Sequence, residues 1–149
     1  QWTKYLAVTH LQPIDTMPLI EDILHLTYLE NRGAAFGMLS NHRWVFMILS
    51  TVSILLILVW LFKEKPKSWW IRSSAAMIIG GGIGNMIDRV RLGFVVDMFD
   101  LTIFSYPVFN VADCFVVVGA ILGAVYYLWL YEKFDARKKN DDASTDGDK

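Results

Sequence analysis

The longest unbroken apolar stretch of the chain, WVFMILSTVSILLILVWLF at residues 44–62, is about 19 uncharged residues long, close to the roughly 20 that cross a hydrocarbon core as a helix. It has no polar face, so it predicts a transmembrane helix. A second stretch, residues 69–87, is interrupted by Arg72 and a glycine cluster. An arginine near a helix end can extend its charge to the interface, so this too is expected to span. The third expected span, residues 113–131, ends in Tyr126, Tyr127, Trp129 and Tyr131, a group suited to the headgroup level. Ahead of the first span the pattern changes. ILHLTYLE, from Ile23 to Glu30, is rich in strand formers and bounded by charged and turn-forming residues, which predicts a short sheet. NRGAAFG follows it, where Gly33 and Gly37 permit a tight backbone path and Phe36 is placed to dip toward the membrane.

Composition supports a bilayer protein. Hydrophobic residues make up 54% of the 149 positions, more than a soluble domain of this length usually carries. Lys63, Lys65, Lys67 and Arg72 gather around the first connection, and Lys133, Arg137, Lys138 and Lys139 follow the third span. The positive-inside rule makes both segments cytoplasmic, with residues 1–43 and 88–112 facing outward. The expected organisation is one membrane-embedded domain over residues 1–137, with a 63–68 loop and a disordered charged tail at 138–149. A net charge of −1 without a basic aromatic face argues against nucleic acid as a partner. The lone Cys114 excludes an internal disulfide, and the scattered His10, His25 and His42 have no metal-ligand spacing, so no metal or cofactor is expected. The chain starts at Gln1, with no signal peptide visible.

The candidate chemistry lies in the acids at the span boundaries. Asp97 stands between Val95-Val96 and Met98-Phe99, with no adjacent cation to explain it. In NVAD, Asn110 reads as a helix N-cap and Asp113 as an acid favoured by the helix dipole, an explanation that needs no catalysis. Asp113, Val117, Ala120 and Ala124 nevertheless share a helical face whose small residues suit another helix. Gly80-xxx-Gly84 and Gly119-xxx-Gly123 suggest that the second and third spans pack together. Gly81, Asn85, Asp88 and Arg89 share one face; Asp88 is expected to pair with Arg89 or Arg91, and Asp100 to be solvated or to form a turn. If Asp97 and Asp113 converge, only one ionises cheaply, leaving an acid and a base side by side. Such a pair can activate water for peptide hydrolysis.

Five motifs in this order resemble the signal peptidase II family of bacterial lipoprotein signal peptidases: QWTK at Gln1–Lys4, NRGAAFG at Asn31–Gly37, GNMIDR at Gly84–Arg89, VVDMFD at Val95–Asp100 and FNVAD at Phe109–Asp113. The resemblance implies a mainly α integral membrane aspartic protease of the bacterial inner membrane. Its catalytic pair would be Asp97 and Asp113, near the outer surface. It places Asn31, Asn85, Arg89 and Asn110 in or around the site, puts Lys4 and Gly33 on motif positions and makes Asp88 structural. The implied substrate is a precursor lipoprotein bearing diacylglycerol on a cysteine, cut on the amino side of that cysteine. The family has four transmembrane helices and an aspartate just before the position of Gln1, so this chain, with three expected spans, is expected to lack the first helix. Two other readings compete: a proton-coupled transporter subunit, which needs acids deep within spans, and an assembly factor whose Asn, Asp and Arg side chains only join helices.

Overall fold

The computed structural model describes residues 1–33 and 43–131. Residues Ala34 to Gly37 of the NRGAAFG segment, His42, and the basic and acidic tail after Tyr131 lie outside the described residues. The chain opens with a short helix, α1 (Trp2–Leu6), which winds on as a wider π-type segment, Ala7–Leu11. Lys4, Ala7 and Leu11, spaced three and four apart, turn one face inward. That helix was not foreseen in the outward-facing region. Two strands follow, β1 (Thr16–Ile20) and β2 (Leu24–Asn31), the second matching the expected strand segment.

Next come α2 (Arg43–Glu64) and α3 (Trp69–Arg91), then β3 (Val95–Leu101) and α4 (Val111–Val125), which continues as a π-type turn over Tyr126–Leu130. The strands form one antiparallel sheet in the order β1-β2-β3. Residues 88–112, expected as a connecting segment, thus supply the third strand. Its Val95, Val96, Asp97 and Met98 are all buried; on one face of the strand the Ala7–Leu11 segment covers the sheet, where Ala7 and Leu11 join Val96 and Met98 in a core flanked by Leu26, Tyr28, Phe94 and Phe99. Gly93, at φ +85°, makes the turn from α3 into β3, a conformation that a side chain would strain.

The helical part has the opposite surface logic. No residue of α2 is buried, and its mean hydropathy reaches 2.7; the helix from Val111 to Leu130 reaches 2.0. Apolar surface on every side is stable only in an apolar medium. These two helices are long and apolar enough to cross a membrane. Tyr127, Trp129 and Tyr131 are exposed near the end of the second, whereas Tyr126 is buried.

The α3–α4 seam is close because glycines line it. A Cβ on Gly81 would collide with the carbonyl oxygen of Ala112 and come within 2.8 Å of Val116 Cγ2; one on Gly119 would meet Ser74 and Ile78 at 2.9 Å. Ser74 Oγ donates to the Gly119 carbonyl at 2.6 Å. Two expectations are corrected here. A Cβ on Gly80 would meet nothing within 4 Å, so Gly81 rather than Gly80 forms the contact with α4. The face of α4 in closest contact with α3 carries Ala112, Val116, Gly119 and Gly123, while Val117, Ala120 and Ala124 are exposed. The predicted stripe was rotated by one residue, a shift that small residues on both faces concealed. Gly81→Ala is expected to destabilise the fold by about 1–3 kcal/mol through forced separation of backbones. Gly80→Ala should stay within about 0.5 kcal/mol of the parent. Equal thermal stability of the two variants in detergent would refute this account of the seam.

Candidate active site

Strand pairing carries Asp97 to the site. In the β2–β3 ladder Leu29 pairs with Asp97 and Asn31 with Val95. Side chains two apart on a strand share a face, so Asn31 is the diagonal neighbour of Asp97. Asn31 Nδ2 donates to Asp97 Oδ2 at 2.8 Å, and its own Oδ1 is held by the Gly33 N–H at 3.0 Å. The other edge of β3 is closed by Phe109, whose backbone exchanges hydrogen bonds with Phe99 at 2.8 and 3.0 Å. That short bridge brings the next residue, Asn110, alongside Asp97. Nothing in the sequence pattern marked Phe109 for this task.

Asn110 is completely buried and begins α4. As expected for an N-cap, its Oδ1 accepts from the Asp113 N–H at 3.1 Å, and Asp113 Oδ2 accepts from the Asn110 N–H at 3.0 Å. This reciprocal box points the Asn110 amide NH2 outward from α4. It donates to Asp97 Oδ1 at 2.6 Å and to Asn85 Oδ1 at 3.1 Å. Asn85, on α3, completes the ring by donating to Asp113 Oδ1 at 2.7 Å. The two aspartates, from different elements, are therefore both bound to Asn110. Each receives two hydrogen bonds.

Lys4 closes the base of this cluster. Its Nζ lies 2.7 Å from Asp88 Oδ2 and 2.8 Å from Asn85 Oδ1, with both ends of the ion pair almost fully buried. Asp88 also accepts the Val96 N–H at 3.1 Å, tying the end of α3 to the start of β3. The expected partner of Asp88, Arg89 or Arg91, is thus replaced by a lysine more than eighty positions away. Adjacent helical residues point in different directions, so Arg89 faces elsewhere. Its guanidinium lies 5.3 Å from the Phe46 ring centre, within the electrostatic reach of Asp113, Asp97 and Asp88. Asp100 is half-buried, 3.4 Å from Thr27 Oγ1.

Burial pushes the Asp97 carboxyl up from 3.8 to about 6. The hydrogen bonds from Asn31 and Asn110 oppose that rise, the Asp113 charge adds to it, and the Lys4 charge opposes it. Desolvation prevails because the residue is only 1% exposed. Asp97 therefore keeps a proton in mildly acidic conditions, while Asp113 is partly open to the surface. A proton donor next to a carboxylate held by two donors can polarise a carbonyl and orient a water.

Two apolar helices, a buried polar cluster at their end and a small sheet closing it define a membrane enzyme fold. Two solved structures, each described as a bacterial membrane enzyme determined by the in meso method, share it with TM-scores of 0.78. One is 30% identical, covering 91% of this chain and 82% of its own; the other is 31% identical, covering 87% and 85%. The family described as "Signal peptidase (SPase) II" matches residues 1–129. The lipoprotein signal peptidase of Caldanaerobacter subterraneus subsp. tengcongensis is 50% identical over 132 residues, covering 89% of this chain and 88% of the relative. That of Halothermothrix orenii is 44% identical over 133 residues, with 89% of each chain covered. This chain belongs to the signal peptidase II family.

Proposed function

We propose that Asp97 and Asp113 are the catalytic dyad of an aspartic endopeptidase. The family's activity, removal of signal peptides from prolipoproteins, is the activity of this chain, which sets the transporter and assembly readings aside. One observation carries the catalytic assignment: a single buried residue, Asn110, bonds both carboxylates, Asp97 through its side-chain NH2 and Asp113 through its backbone N–H. Asp97, with its raised pKa, gives a proton to the scissile carbonyl, and Asp113 takes one from the attacking water. The carbonyl becomes a neutral gem-diol, whose collapse breaks the C–N bond as Asp113 passes its proton to the leaving amine and a gem-diol hydroxyl returns a proton to Asp97. Arg89 is positioned to meet a substrate carbonyl; Asn31, Gly33, Asn85, Asn110 and Lys4 hold the two acids in place, and Asp88 is the structural counter-charge of Lys4.

The wider reading follows from the membrane. A single peptidase domain over residues 1–137 uses α3 as a further span, making three; at 23 residues it is about 34 Å long, enough to cross. The lysine-rich connection between α2 and α3 and the C-terminus face the cytoplasm, and the sheet and dyad face outward across the bacterial inner membrane. The substrate is a prolipoprotein anchored by diacylglycerol on its cysteine, cleaved on the amino side. Surrounding membrane lipid and that anchor fix the depth at which the peptide meets the dyad. Removing the diacylglyceryl group from a precursor is expected to cut kcat/KM by about 100-fold or more, measured in mixed micelles with the purified chain. Equal cleavage of lipidated and unlipidated precursor would defeat the reading.

A further inference from the structure

At the end of the helices away from the dyad, α2 and α3 enclose a cavity of about 660 Å³. Lys65 and Arg72 supply its charged lining; the rest is apolar, with Leu58, Leu61, Ile79 and Gly80 among its residues. Both cations are exposed, and among the described residues neither has a carboxylate partner, nor does any acid line the cavity. This leaves two uncompensated positive charges converging on one opening.

The cavity is also long in the direction of the helices. Arg72 and Gly80 lie eight residues apart on α3, about 12 Å at 1.5 Å per residue. A charged end and an apolar trough of that length match a phosphate headgroup followed by the upper part of an acyl chain. Gly80 keeps the trough open, since it makes no contact with α4 and a Cβ there would meet nothing within 4 Å. A soluble anion would satisfy the cations and leave the trough empty. An acyl chain without charge would leave the cations unmatched. Arginine and lysine together favour phosphate, the one through its planar fork and the other as a point charge.

We propose that this cavity is a binding site for an anionic phospholipid, its phosphate between Lys65 and Arg72 and one acyl chain along Leu58, Leu61, Ile79 and Gly80. Basic pockets between membrane helices bind acidic headgroups by this chemistry. The site rests on α2 and α3 lying in the bilayer and is independent of the aspartate pair.

The test uses the purified chain in a neutral detergent, titrated with dioctanoyl phosphatidylglycerol, dioctanoyl phosphatidylcholine or inorganic phosphate while thermal stability is followed. Phosphatidylglycerol should raise Tm saturably, and the other two should not. Lys65→Gln with Arg72→Gln should weaken the phosphatidylglycerol response about tenfold or more. Gly80→Leu should weaken it with both cations intact, by filling the trough. Lipid-free Tm of each variant reports folding separately, and prolipoprotein cleavage in detergent should match the parent for the Lys65 and Arg72 pair of substitutions. An equal response to phosphatidylcholine, a response to inorganic phosphate alone, or an undiminished response in both variants would overturn the site.

Discussion

Asparagine at position 97 or at position 113 is expected to lower turnover of a diacylglyceryl precursor by about a thousandfold or more, the range lost when a positioned acid or base is removed. Each substitution keeps the size of the side chain and removes its ability to exchange a proton. It also has a structural effect. Asn31 and Asn110 both turn NH2 groups toward Asp97, and each is locked by a backbone N–H on its own oxygen. An amide at 97 therefore sets one donor against another, at a cost of about 1–3 kcal/mol. Loss of activity by itself would not separate chemistry from damage.

The pH dependence of stability makes that separation. Asp97 titrates at about 6 in the folded chain, against an ordinary 3.8. Between those values the native state keeps a proton that the unfolded chain has released. The contribution of Asp97 is therefore fully present below 3.8 and lost as pH rises through about 6. The parent should lose on the order of 3 kcal/mol across this window relative to Asp97→Asn, whatever the offset between their absolute stabilities. A folded Asp97→Asn chain that lacks the drift and does not cleave would establish the acid as chemical. Normal cleavage by either folded variant would remove the dyad.

Lys4→Met should have the largest effect on stability. It leaves Asp88 charged and buried with only the Val96 N–H for support, a loss of about 3–5 kcal/mol. Adding Asp88→Asn should recover more than half of that loss. The new amide oxygen still accepts from Val96, and no unpaired charge remains. Thermal unfolding of the parent, both single variants and the double variant forms a cycle that isolates the coupling. A double variant no more stable than Lys4→Met would show that the ion pair does not hold α1 to α3.

Some of this was legible in the sequence and some was not, for identifiable reasons. The apolar 44–62 run, the strand segment before it and the Asn110 cap each depend on local pattern, and all three appear in the fold. Asp97 stood out because an acid between apolar neighbours needs an explanation. What the pattern could not supply were partnerships between distant elements. Asp88 had two arginines nearby in sequence and chose Lys4, a partner supplied only by the docking of α1 against α3. The 3–4 spacing of Lys4, Ala7 and Leu11 did encode α1, but ten residues are too few for periodicity to distinguish helix from loop. The meeting of Asp97 with Asn110 needed the Phe99–Phe109 bridge, and no residue type announces a single backbone pairing.

Three of the cluster's bonds join residues far apart along the chain: 66 positions for Asn31 to Asp97, 81 for Lys4 to Asn85 and 84 for Lys4 to Asp88. Contacts of such separation close large loops and form late in folding. The two acids are joined early through Asn110, only 13 and 3 positions from them, whereas the shell that buries them closes last, when α1 and the sheet dock on the helices.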